Sequence, residues 1–122
     1  MQTRQKTQGA RKRSFMGLFH FFTKLNINDG VKAFRNNHNA VLLDVRTIEE
    51  YTQGHIEGSK NIPLQTIERV QSEIPEKSTL LYVYCRSGVR SAKATELLQK
   101  AGYTNVIDIG GIIHYKGEIV KN

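Results

Sequence analysis

An α/β fold built on a parallel sheet is the class this sequence predicts, and three observations predict it. Mostly apolar runs of strand length recur at "AVLLDV" (40–45), "TLLYVY" (79–84) and "NVIDI" (105–109). Segments with helical spacing lie between them, the longest being "VRSAKATELLQKAGY" (89–103). Apolar runs of this kind suit strands buried on both faces, and strands that alternate with helices pair in parallel. Ligand sites in such folds lie beyond the carboxyl ends of the strands.

The elements follow in order. Residues 1–14, "MQTRQKTQGARKRS", lack apolar periodicity and read as a disordered leader. Met16 offers an internal start, which would make residues 1–15 an extension, and an arginine-rich leader without acids is also the composition of an organelle transit peptide. The aromatic cluster "FMGLFHFF" (15–22) is expected to cover one side of the domain, dipping into a membrane interface being the alternative. A leader over 1–23 and one domain over 24–122 are therefore expected. "NDGVKAFRNN" predicts a short helix capped by Asn28, with Val31 and Phe34 inward. "TIEEYTQG" (47–54) opens with a capping box, Thr47 accepting from the Glu50 amide while Glu50 reaches back, and Gly54 ends it.

"SKNIP" (59–63) reads as a brief extended piece stopped by Pro63. "LQTIERVQSEI" (64–74) sets Leu64, Ile67, Val70 and Ile74 at helical spacing. In the helix from Val89, Ala94, Leu97, Leu98 and Ala101 form the apolar face and Gly102 terminates it. "GGIIHYKG" (110–117) reads as a glycine-bounded loop or turn, Gly110 and Gly111 permitting a tight backbone path.

Composition narrows the function. With 122 residues, 39% hydrophobic and 24% charged, the chain has the size and balance of one globular domain. Its net charge of +7 is concentrated in the leader, since residues 29–122 carry 12 basic and 11 acidic side chains. A nucleic-acid partner is not expected, because its positive stripe would belong on the folded part. No apolar run approaches the roughly 20 residues of a membrane-spanning helix. The single cysteine excludes an intrachain disulfide and is compatible with the cytoplasm, the localisation expected here.

That cysteine is the chemical centre of the sequence. Cys85 sits one step beyond an apolar run, followed by Arg86, Ser87, Gly88, Val89 and Arg90. A short loop that feeds a helix N-terminus turns backbone N–H groups toward one point and forms a nest for an anion. Arg86 and Arg90 add full charges, so electrostatics alone favours a thiolate nucleophile. None of His20, His38, His55 or His114 is needed as a base; His55 is expected to fix the turn between Gly54 and Gly58. Asp44 and Arg46 flank another strand end, where shaping the pocket and bracing the loops by an ion pair are the two roles open to them.

"CRSGVRS" resembles the active-site loop of rhodanese-like domains, which carry sulfur as a cysteine persulfide. "LLDVRTIEEYTQGHIEGSKNIPL" (42–64) and "NVIDIGGIIHY" (105–115) are similar to two further stretches of that family, in the same order. Many relatives have tryptophan after the paired glycines; here Tyr115 is the nearest aromatic. The resemblance implies a three-layer fold, a central parallel sheet flanked by helices. It also implies a single-domain sulfurtransferase with Cys85 as nucleophile and no cofactor. The partners implied are a small anionic sulfur donor such as thiosulfate, and cyanide or a thiol, including a protein thiol, as acceptor.

Two other functions stay open at this point. Phosphatase or arsenate-reductase chemistry also sets a cysteine and an arginine around an oxyanion. Only four residues separate Cys85 from Arg90, one fewer than in the phosphatase loops this segment resembles, and the smaller ring better suits one sulfur atom. A protein-interaction module is the other reading, although rhodanese-like domains in that role often lack the cysteine kept here.

Overall fold

The computed structural model describes residues 24–122, so the expectations for the leader and the aromatic cluster lie outside the described residues. Strands β1 (Val41–Asp44), β3 (Lys60–Asn61), β4 (Leu81–Cys85) and β5 (Val106–Gly111) form one parallel sheet in the order β3-β1-β4-β5. A small antiparallel pair, β2 (His55–Ile56) with β6 (Ile119–Val120), stands apart from it. Among the described residues, no helix is long and apolar enough to cross a membrane.

Alternation along the strands sends side chains into two cores. Leu43, Leu81, Val83 and Cys85 face a core closed by Val70, Ala94, Leu98 and Tyr103. Leu42, Tyr82, Tyr84 and Ile109 face a second core closed by Ile27, Val31 and Ile56. These are the three layers expected: helix α4 (Val89–Lys100) covers one face of the sheet and helix α1 (Ile27–Arg35) the other. Burying a Leu or Val side chain is worth about 1.5–3 kcal/mol, so these positions dominate the stability of the sheet.

Local chemistry accounts for most boundaries. Helix α2 (Ile48–Gln53) begins with the Thr47–Glu50 capping box and ends at Gly54, as the sequence predicts. Helix α4 ends in a paired motif in which the Gly102 N–H bonds Gln99 and the Tyr103 N–H bonds Leu98, with Gly102 at φ +103°.

Three expectations are corrected. Asn26, not Asn28, caps α1, because its side chain accepts from the Asp29 N–H. Asn28 instead ties the helix to the C-terminal segment, donating to the His114 carbonyl at 3.1 Å and accepting from the Lys116 N–H at 2.9 Å. The helix expected over 64–74 is a 3-10 turn, Leu64–Arg69, running into a short α3 (Val70–Glu73). Thr66 leaves helical backbone there and bonds back to the Pro63 carbonyl, which interrupts the ladder.

Cys85 is the last residue of β4, at the carboxyl end of its strand as expected, and pairs with Gly111. The third correction follows from this pairing: β5 continues through Gly110 and Gly111, where a loop was expected, before a 3-10 turn at Ile112–His114. A register shift between Val83 and Tyr84 leaves Ile109 as the extra residue on β5. Tyr115, the nearest aromatic to the paired glycines, packs partly buried against the second core, as does Ile112.

Candidate active site

The site grows from the carboxyl end of β4. Cys85 is fully buried, and its Sγ accepts two backbone hydrogen bonds, from the Gly88 N–H at 3.0 Å and the Ser91 N–H at 3.3 Å. Gly88 is the N-cap of α4 at φ +110°, so no cap side chain serves the first turn. The sulfur takes that place, accepting from the third helical residue as a serine or aspartate cap would. Among the described residues, no acceptor answers the N–H groups of Val89 and Arg90. Four N–H groups thus stand at the start of α4, those of Gly88 and Ser91 on the sulfur and those of Val89 and Arg90 without an acceptor, the arrangement that suits an anion.

The loop is held from below. The Ser91 hydroxyl lies 2.8 Å from Asp108 Oδ1 and 3.1 Å from the Gly88 carbonyl, and Asp108 Oδ1 also accepts from the Gly110 N–H at 3.0 Å. Gly111 lets β5 run directly under the loop: a Cβ there would sit 2.7 Å from the carbonyl carbon of Ser87. The Arg86 carbonyl accepts from the Ile113 N–H at 3.2 Å, fixing the opposite side.

The two arginines part company. Arg90 makes a bidentate ion pair with Glu50, at 2.7 and 3.0 Å, which raises the guanidinium pKa and lowers the Glu50 carboxyl to about 2. Arg86 is exposed, and its side chain has no ion-pair partner among the described residues. It lines an open pocket of about 200 Å³ together with Arg46, Glu50, Gln53, Gly54, Ile112 and Ile113. Ser87 and Val89 are exposed on the loop itself.

Asp44 and Arg46 form the ion pair that was one of the two roles open to them. Both are buried, with the Arg46 guanidinium 2.6 Å from Asp44 Oδ2 and 2.7 Å from the Gly54 carbonyl. Burial opposes the charge on Arg46 most strongly, but the hydrogen bond and charge of Asp44, together with the charges of Tyr84 and Glu50, outweigh it and the pKa is raised. Burial and then the Asp44 charge push the neighbouring Tyr84 phenol up as well. Arg46 also faces the pocket, so the pair shapes it while bracing the loop. His55 is buried, stacked on Tyr51 at 3.7 Å, with Nδ1 2.7 Å from the Tyr51 carbonyl; the bond requires the proton on Nδ1. Its contacts are structural, within the turn expected of it.

Sequence reasoning passed over Glu50, Ser91 and Asp108 as site residues. Glu50 was legible as a cap and nothing else. Asp108 had one signal, a carboxylate within an apolar run ahead of paired glycines.

A buried cysteine ending a parallel strand, with backbone N–H groups of the next helix turned on its sulfur, defines a class of domain. The rhodanese-like domain model matches residues 28–117, and the chain belongs to that family. The thiosulfate sulfurtransferase PspE of Escherichia coli is 42% identical over 71 residues, spanning 57% of this chain and 68% of that protein. A solved rhodanese with anions from E. coli is 38% identical at a TM-score of 0.63, covering 68% of this chain and 99% of that one. A rhodanese-like domain protein from Staphylococcus aureus aligns at a TM-score of 0.72 with 29% identity, over 82% of this chain and 98% of its own.

Proposed function

We propose that the protein is a sulfurtransferase that carries sulfane sulfur as a persulfide on Cys85. The observation that carries this reading is the Cys85 sulfur accepting two backbone N–H bonds while two more N–H groups of the same loop await an acceptor. The thiolate attacks the outer sulfur of thiosulfate; a Cys85 S–S bond forms, the donor S–S bond breaks, and sulfite leaves with the electron pair. The persulfide anion is then stabilised by the N–H groups of Val89 and Arg90. A thiolate acceptor, or cyanide, takes the outer sulfur and regenerates the Cys85 thiolate.

Arg86 is the residue proposed to draw in the anionic donor, its planar fork suiting sulfonate oxygens. Ser87 and Gly88 shape the loop, and Asp44 with Arg46 holds the adjoining one. The sulfurtransferase relatives and the anions in the E. coli neighbour support this reading. Phosphatase chemistry is disfavoured, because the arginine that would clasp a phosphate is engaged by Glu50. Residues 24–122 are taken as the domain, supported by the family match over 28–117. A reducing compartment such as the cytoplasm suits its free thiol.

Intact mass after thiosulfate treatment tests the proposal. One added sulfur is expected on the wild type and none on Cys85→Ser. Equal loading of the two would sink the persulfide mechanism.

A further inference from the structure

The pocket beside the Cys85 loop contains a group that an anion site would be expected to avoid. Glu50 is the one carboxylate in its lining among the described residues, which also includes Arg46 and Arg86. Its oxygens are committed. Oε1 accepts from the Thr47 N–H at 3.0 Å and from Arg90 Nη1 at 2.7 Å, and Oε2 accepts from Arg90 Nη2 at 3.0 Å. Arg90 in turn precedes Ser91, whose N–H meets the Cys85 sulfur. The charges around the loop therefore fall into answered and unanswered groups. Arg46 is matched by Asp44 and Arg90 by Glu50, while Arg86 alone has no carboxylate partner among the described residues. Buried Asp108 lies on the far side, bonded to the Ser91 hydroxyl and the Gly110 N–H.

We propose that Glu50 sets the strength with which this site holds dianions, by neutralising Arg90 at the mouth of the Cys85 loop. The inference rests on the sulfurtransferase reading. The donor and the departing sulfite are both multiply charged anions, and one loop must admit the first and release the second. Two unmasked arginines beside four N–H groups would hold sulfite as firmly as they draw in thiosulfate. With Glu50 in place only Arg86 acts at full charge. Glu50 is thus a positioning residue for Arg90 and a brake on anion affinity.

Glu50→Gln separates this role from capping, because glutamine at the third helical position still completes a capping box. Rates of sulfur transfer from thiosulfate to cyanide, measured over a range of salt, give the readout. Glu50→Gln is expected to lower KM for thiosulfate about three- to tenfold, the scale of one added charge in a half-exposed site. Inhibition by added sulfite should tighten by a similar factor, and the salt dependence of kcat/KM should steepen. Adding Arg90→Met to Glu50→Gln should cancel both gains, since the two residues act as one unit. Unchanged KM and sulfite inhibition in Glu50→Gln would overturn the inference, as would a gain that survives loss of Arg90. A fall in kcat alone, with no change in salt dependence, would assign Glu50 a merely structural part and overturn it too. Failure of the underlying reading shows separately, as wild-type protein that gains no Cys85-dependent sulfur from thiosulfate.

Discussion

The loops after β1 and β4 leave adjacent strands side by side, Asp44 paired with Tyr84, yet they treat their polar groups in opposite ways. After β1, the Asp44 carboxylate takes the Arg46 guanidinium and the Arg46 N–H, while the Asn61 side chain answers the carbonyls of both residues. The carboxylate and both carbonyls there are answered from within the chain. After β4, two N–H groups meet the sulfur, those of Val89 and Arg90 have no acceptor among the described residues, and the Arg86 side chain is exposed. A parallel sheet offers a binding place at every strand end. Whether a place becomes a site depends on whether the chain's own side chains have already filled it.

Breaking the self-filled loop should have the largest effect. Asp44→Ala leaves the Arg46 charge buried and unpaired, which is expected to cost about 3–5 kcal/mol and to show as a large drop in the urea midpoint. A loss below about 1 kcal/mol would mean that the Arg46 side chain simply swings into water.

The open loop is more sensitive in activity than in stability. Gly111→Ala pushes a methyl group against the Ser87 backbone, so the loop must shift. About 1–3 kcal/mol of stability should go, and sulfur transfer should fall roughly tenfold or more as the N–H groups lose their aim. Full activity in this variant would show that the close approach of β5 does not set the loop geometry.

A smaller response is expected from Ser91→Ala. The donor at the sulfur is a backbone group and remains, while Asp108 loses one buried partner. Stability should fall by about 1–2 kcal/mol, with activity kept within roughly threefold. A loss of activity as deep as that of Cys85→Ser would give the hydroxyl a direct part in the chemistry.

The smallest effect concerns the tie between the two loops, since Glu50 follows the first and Arg90 the second. Hydrogen bonds from Arg90 lower the Glu50 carboxyl to about 2 from an ordinary value of 4.5. A depressed carboxyl stabilises the fold fully above its unfolded pKa and loses that contribution as pH falls through the folded one. Stability from this pair should therefore persist at pH 5 and fade between about 4.5 and about 2. Carbon NMR of the Glu50 side chain should give a midpoint near 2; a midpoint near 4.5 would mean the tie is open in solution.

What the sequence revealed follows the range of the interactions. The strands of the parallel sheet, the capping box, Gly102 as terminator and the cysteine loop rest on neighbours a few residues apart and were legible, whereas the β2–β6 pair, whose partners lie far apart in the chain, was not. Asn26 and Asn28 could each cap α1 by local rules; the choice between them is made by the distant His114 and Lys116 backbone. Gly110 and Gly111 look like a turn until Cys85 is seen paired with Gly111. Glu50 was readable for its bond to Thr47 three residues back, whereas its bond to Arg90 spans 40 residues. The missed residues are those whose partners arrive only when the sheet assembles.

The two-residue pair β2–β6 has a kinetic meaning. Closing it joins His55 to Val120 across most of the domain, a large loop-closure cost for very few backbone bonds. Such a ladder forms late in folding and frays early. Ile119 packs on Gly54, whose carbonyl holds Arg46 and whose backbone lines the pocket. Opening of the pair would remove the Ile119 contact behind Gly54 and leave the β4–β5 pairing beneath the Cys85 loop in place. Amide exchange should accordingly be faster in β6 than in β4.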